Sequence, residues 1–298
     1  MWFLLGILSA IGLGCYDIAK KKSLQDNAVV PVLLMSVVCS SILLLPLWII
    51  SRCNPALLQD TLLYVPQVDL HTHLLILLKS AIVLSSWLFA YMAMKHLPLT
   101  IVTPINATRP MWTLVGALLI FGEQLSGWQW GGILLAIASF ISFSLAGKRE
   151  GIQFSHNRWI GCLLLATLLG AASGLYDKHL MQHVDHNAVQ VYYTFYQAAM
   201  MVVTAAVLWW PRRKEQPFHW SWHIVLISVF LILSDFFYLL ALTDSNSLIS
   251  ILSVVRRSSV LISFAYGAIV MHEQNIRLKV YCLCGVLAGM LMLMFGTL

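Results

Sequence analysis

The sequence predicts an all-α membrane protein with ten transmembrane helices, arranged as two inverted five-helix repeats. Composition is the first reason: 60% of the 298 residues are hydrophobic and only 10% are charged, whereas a soluble domain has about 25% charged residues. The second reason is an internal duplication of the chain. The third reason is the odd number of spans in each half, because it turns the second repeat upside down in the membrane relative to the first.

The duplication is clearest between residues 14–29 and 174–189, at an offset of 160 residues. Six of the sixteen aligned positions are identical, where chance at this composition gives roughly one. The identical positions include the dipeptide Tyr16-Asp17, which recurs as Tyr176-Asp177. Each half therefore carries an acid near the end of its first apolar run.

Small residues precede each of these aspartates with a spacing of four. In the first half they are Gly6, Ala10 and Gly14, and in the second half Ala166, Gly170 and Gly174. Such a ridge lets two membrane helices approach closely.

Ten apolar runs are long enough to cross a bilayer, at about 20 residues per helix. They cover 2–19, 29–50, 74–94, 100–121, 128–146, 159–178, 188–210, 222–243, 248–271 and 277–297. No alternating strands of the kind found in membrane barrels occur, so the spans are helices. We expect a first repeat over 1–147 and a second, inverted repeat over 159–298.

The loop cations predict an orientation. Twelve lie on the side of the odd-numbered loops: Lys20, Lys21, Lys22, Lys95, Lys148, Arg149, Arg158, Arg212, Arg213, Lys214, Arg277 and Lys279. The opposite side has Arg52 and Lys178. This asymmetry predicts cytoplasmic basic loops and external termini. Because the cations are spread over short loops, the net charge of +6 does not indicate nucleic-acid binding.

Ionisable side chains inside the apolar runs are the first candidate functional residues. They are Asp17, Arg109, Asp177, Asp235, Arg256 and Arg257. A charge at the centre of a membrane helix costs about 3 kcal/mol, so we expect this set to face the bundle interior and to pair there. Two interpretations remain open: a purely structural ion-pair network and a binding site.

Arg109 lies in a segment that contains two prolines, Pro104 and Pro110. Pro110 has no N–H to donate to the carbonyl of Asn106, so the helix is interrupted there. A broken helix beside an intramembrane arginine is typical of a transporter site, although a kink shaped only by packing gives the same pattern. An offset of 148 places Arg257 on Arg109.

Aromatic side chains share helix faces with this region. Trp87 and Tyr91 are spaced i, i+4, and Asp235 and Tyr238 are spaced i, i+3. The predicted binding residues are Tyr16, Asp17, Trp87, Tyr91, Asn106, Arg109, Tyr176, Asp177, Asp235, Tyr238, Arg256 and Arg257.

Other chemistry is weakly indicated. His179, His183 and His186 have a possible metal-ligand spacing, but they stand at a membrane edge. The six cysteines predict neither a disulfide framework nor a metal site. No glycine-rich phosphate loop occurs. We therefore predict no catalytic residue, no bound metal and no cofactor.

The paired halves resemble the drug/metabolite transporter superfamily, in particular its EamA-like branch. The likeness rests on an acid in each first helix and on two turns: Phe121-Gly122-Glu123-Gln124 before Gly131-Gly132, and Met271-His272-Glu273-Gln274 before Gly285 and Gly289. His272 stands where the family usually has glycine. The resemblance implies a substrate cavity between the halves and alternating access. It also implies cytoplasmic termini, opposite to the orientation that the loop cations predict.

We therefore expect a secondary transporter, not an enzyme, that moves a small polar organic metabolite such as an amino acid or related carboxylate. Arginines would bind a carboxylate or phosphate, and aspartates an amino group or a coupling proton. A flippase for a lipid-linked phosphate and an intramembrane metal-dependent enzyme are the alternatives. We expect a multi-pass protein of the cell membrane, specifically the bacterial inner membrane, as a monomer or homodimer.

Overall fold

A computed structural model describes residues 2–59, 61–112, 115–116, 126–148, 157–180, 183–242 and 255–296. The side chains of 2–3, 140, 143–148, 177–179, 239–240 and 242 lie outside this description.

Ten α-helices and no strands occupy the described part of the chain. They are α1 Trp2–Ser23, α2 Val29–Cys53, α3 Leu70–His96, α4 Leu99–Ala107, α5 Gly127–Lys148, α6 Arg158–Leu180, α7 His186–Leu208, α8 Trp222–Leu242, α9 Ser259–Ile269 and α10 Ile276–Phe295. The prediction of an all-helical protein is confirmed for these residues.

Five helices are long and apolar enough to cross a membrane. These are α2, α3, α7, α10 and the part of α6 that covers Arg158–Tyr176. Helix α8 contains a shorter apolar segment, Trp222–Tyr238. The protein is therefore built from membrane-spanning helices, and the full count of ten spans stays a prediction.

Local sequence explains where two of these helices begin. Asp69 accepts a hydrogen bond from the backbone N–H of Thr72 at 3.2 Å and caps α3. Asp185 accepts from the backbone N–H groups of Asn187 and Ala188 and caps α7. Such caps satisfy N–H groups that a helix leaves without partners. Hydrogen bonds from Thr72 lower the pKa of the exposed Asp69 carboxyl.

Helices of the first half pack mainly on helices of the second half. Helix α1 lies against α8 and α9, while α6 lies against α3 and α4. Helix α2 contacts α7 and α8, and α7 contacts α2 and α3. Two further pairs, α4 with α9 and α5 with α10, complete the arrangement. The boundary between the halves is therefore the main packing surface of the molecule.

Small residues bring helices together at this boundary. A Cβ on Gly14 would lie 2.7 Å from the Cβ of Ile262, so the predicted ridge on α1 packs tightly on α9. Ser9 and Ser234 exchange hydrogen bonds to each other's backbone carbonyls, both at 2.8 Å, and so join α1 to α8.

A close backbone approach lies between α5 and α10. A Cβ on Gly132 would stand 2.7 Å from the carbonyl oxygen of Gly289, and a Cβ on Gly289 would stand 2.9 Å from that of Gly132. Neither backbone oxygen can move aside as a flexible side chain could. The glycines near the end of each half therefore serve the contact between the halves.

Replacing Gly132 by alanine is expected to lower the thermal unfolding temperature in detergent, because overpacking costs about 1–3 kcal/mol. The matched control is Gly161→Ala at an exposed position of α6, where an added Cβ meets nothing within 4 Å and helix propensity improves. Equal unfolding temperatures for the two variants would contradict the close approach.

Candidate functional site

Asp17 forms an ion pair with Lys20, one turn further along α1. The carboxylate and the Lys20 Nζ are 3.0 Å apart. The ammonium also lies 4.5 Å from the ring centre of Tyr16 and 5.2 Å from that of Tyr91. The assignment of Lys20 to a loop is wrong, because α1 continues to Ser23 and leaves Lys20 only 5% exposed. Lysine, acid and aromatic rings form one unit, in which the lysine and both tyrosines are buried and the carboxylate is partly exposed.

Tyr91 connects three helices of the first half. Its hydroxyl lies within interaction range of Tyr16 on α1 and Ser36 on α2. The side chain is 1% exposed. Trp87, one turn earlier on α3, is half-buried against the same core. The predicted face formed by Trp87 and Tyr91 therefore lies next to the Asp17–Lys20 pair.

Arg109 brings the broken helix into this region. Helix α4 ends at Ala107, and helical backbone resumes over 109–112 after Thr108. The guanidinium packs on Gly170 of α6 so closely that a Cβ there would lie 2.6 Å from Arg109 Cζ. Arg109 also lies within electrostatic range of Asp17 and Tyr16. In α6, the predicted ridge of small residues thus makes room for an arginine.

The second half supplies the adjacent arginines. Arg256 donates a hydrogen bond to the carboxylate of Asp235 and lies 4.1 Å from the ring centre of Tyr238. Arg257 lies within electrostatic range of Arg109, Arg256, Tyr238 and Asp17. One arginine therefore binds an acid on α8, while the next is directed toward charges of the first half.

Two predicted residues form their described hydrogen bonds outside this cluster of contacts. Asn106 accepts a hydrogen bond from the Thr167 hydroxyl at 3.3 Å, which joins α4 to α6. The Tyr176 hydroxyl donates to the carbonyl of Leu75 at 3.2 Å. The side chain of Asp177 is not among those described, so its position stays a prediction.

The first half of the chain matches a known family. A family model for EamA-like transporters matches residues 1–145. The match covers slightly less than half of the chain and makes the first half similar to members of the drug/metabolite transporter superfamily. The fold is similar to that of a solved crystal structure of another protein, with a TM-score of 0.61 and 13% sequence identity. The alignment covers 97% of this chain and 95% of the other chain. At that identity the likeness shows a shared fold. No curated protein matches significantly.

Glu273 joins the two halves of the protein at one end. Its carboxylate accepts from the backbone N–H groups of Leu99 at 2.7 Å and Thr100 at 2.9 Å, and from the Thr100 hydroxyl. An acid at this position caps the positive end of α4. The sequence shows the turn that contains Glu273 but not its distant partner.

Lys279 completes the Glu273 contact. Its Nζ donates to the Thr100 hydroxyl at 2.9 Å, and the side chain is fully buried. Lys279 was counted among the cations that set the orientation, and it lies in the first turn of α10. Two other basic residues counted for orientation bind backbone carbonyls: Lys21 those of Met94 and Leu97, and Lys95 that of Asn27.

A cavity of about 720 Å³ opens beside these lysines. It is lined by residues that follow α1, by the end of α3, by the α7–α8 connection and by Met271. Lys21, Asp26, Lys95 and Glu215 give it a charged wall. None of the predicted binding residues lines this cavity, so the expected midplane cavity stays a prediction. Within the described ranges no group of three His, Cys, Asp or Glu residues is placed to hold a metal.

The sequence analysis did not include Lys79 among the charged residues of the membrane interior. Lys79 lies within the apolar run 74–94 and is 8% exposed, with its Nζ 5.4 Å from the ring centre of Tyr193. A lysine inside an apolar run is a visible signal, and it belongs with the other intramembrane charges.

The Asp235–Arg256 pair can be tested by a double-mutant cycle with Asp235→Asn, Arg256→Gln and the combined variant. Each single change leaves a partly buried polar group without its partner, so thermal stability should fall in both. The combined variant should be more stable than additivity predicts, with a coupling of about 0.5–3 kcal/mol. Strict additivity in thermal unfolding would show that the two side chains do not interact.

Proposed function

We propose that this protein is a secondary transporter that carries a small polar organic metabolite, an amino acid or related carboxylate. The observation that carries the proposal is the convergence of Asp17, Arg109 and Arg257. These charges come from α1, from the broken helix of the first half and from the segment that precedes α9. Opposite charges gathered between two halves of a membrane protein are typical of a substrate pathway.

The inverted repeat forms part of this proposal. If the halves are exchanged, α1 corresponds to α6, α3 to α8 and α4 to α9. The pair α1–α8 then becomes α6–α3, and α1–α9 becomes α6–α4, both of which occur. The pairs α2–α7, α4–α9 and α5–α10 map onto themselves. This exchange supports a pseudo-two-fold axis through the site, as expected for halves that rock around a substrate.

The side chains suit a ligand with both a charged and an apolar part. Guanidinium groups present planar donors that match a carboxylate. The Asp17 carboxylate can accept from an ammonium group or hold a coupling proton. Tyr16, Tyr91 and Trp87 offer aromatic surface to the rest of the molecule. These roles fit the transport of an amino acid or related carboxylate across the cell membrane. The proton is the candidate coupling ion.

Arg257→Ala and Asp17→Asn should each abolish metabolite counterflow into proteoliposomes, because each removes a charge from the proposed site. The control is Lys214→Ala, which alters an exposed loop lysine. The thermal unfolding temperature shows whether the variants remain folded. Full counterflow in both site variants would remove these residues from the mechanism.

Alternating access makes a second prediction for the contact between α4 and α9. A Cβ on Gly267 would lie 3.3 Å from the Cβ of Leu99, close to the separation in a disulfide. In a background without the six native cysteines, the pair Leu99→Cys and Gly267→Cys should cross-link under oxidation and stop counterflow. Reduction should restore it, because the halves can then separate.

Each single cysteine variant, oxidised in the same way, serves as a control for the cross-link. Unchanged counterflow in a fully cross-linked sample would show that α4 and α9 do not move apart during transport.

A further inference from the structure

Lys79 extends the proposed site toward α7. It lies in α3 and is 8% exposed, and its ammonium is near the Tyr193 ring. Tyr193 is in turn within electrostatic range of Tyr16, which interacts with Asp17 and Arg109. A continuous series of interacting side chains thus connects Lys79 with the charges described above.

Gln197 lies one turn beyond Tyr193 on the same face of α7. It is 1% exposed, and its Nε2 has no hydrogen-bond partner among the described residues. A buried amide donor without an acceptor costs about 1–3 kcal/mol. Such a group is stabilised when a bound molecule supplies an oxygen.

The charge balance of this interior is positive. Among the described side chains, the bases Lys20, Lys79, Arg109, Arg256 and Arg257 stand with the acids Asp17 and Asp235. Excess charge in an apolar bundle is costly, and an anionic ligand reduces that cost.

We propose that Lys79 and Gln197 form a second wall of the substrate site, and that the site selects an anionic substrate over an isostere with one negative charge fewer. The substrate class is an acidic amino acid or a dicarboxylate. This inference rests on the proposed transport function and narrows it. Lys79 supplies the additional cation, and Gln197 donates to a second carboxylate.

The test compares substrates that share a shape and differ by one charge. Glutamate and glutamine form one pair, and succinate and succinamate form another. Counterflow in proteoliposomes should favour the more anionic member of a pair by at least about tenfold, since a hydrogen bond to a charged group changes affinity by about that factor. Lys79→Met should reduce the ratio by about tenfold, while Lys79→Arg should preserve it.

Gln197→Glu gives an independent variant, because an added negative charge at the second wall should also reduce the ratio. Lys214→Met is the matched control for loss of an exposed lysine. Equal counterflow of both members by the wild type, or an unchanged ratio in both Lys79→Met and Gln197→Glu, would overturn the charge selection while transport itself stands. Absence of counterflow with every metabolite tested would overturn both proposals.

Discussion

The cost of placing charge inside an apolar helical bundle is the constraint on which this structure depends. Each interior charge is unfavourable in lipid by about 3 kcal/mol, and the chain meets this cost by pairing. Asp17 binds Lys20 within α1, and Asp235 binds Arg256 across two elements of the second half. Arg109 and Arg257 approach each other and Asp17 from opposite halves. The position of the charges therefore fixes which helices must face one another.

Small residues make this convergence sterically possible. Gly170 leaves space for the Arg109 guanidinium, and Gly14 lets α1 lie directly on Ile262. At the other end of each half, Gly132 and Gly289 bring α5 and α10 to backbone contact. The tight boundary and the polar cluster are thus two results of one packing arrangement. At one edge of this boundary, the Glu273 carboxylate of the second half forms hydrogen bonds that cap α4 of the first half.

The sequence predicts the helical class and many interior residues because an isolated charge in an apolar run is a local signal. Asp17 is also supported by its recurrence as Asp177. Lys20 was misassigned because a run of three lysines resembles a loop, whereas α1 continues to Ser23. The Glu273 contact could not be predicted, since its partners Leu99 and Thr100 lie more than 170 residues earlier. Lys79 could have been predicted as an interior charge, because it lies within the apolar run 74–94. Pairing partners depend on tertiary packing, which local patterns do not encode.

The central claim is that the polar cluster between the halves is reached by water and substrate from one membrane face at a time. Cysteine accessibility measures this directly, with Trp87→Cys as the single thiol in an otherwise cysteine-free protein in oriented vesicles. The labelling rate with a membrane-impermeant anionic thiol reagent is recorded from each face, with and without a transported metabolite. Labelling should depend on the face and should be slowed by the metabolite. Labelling that the metabolite leaves unchanged, or no labelling from either face, would contradict the central claim.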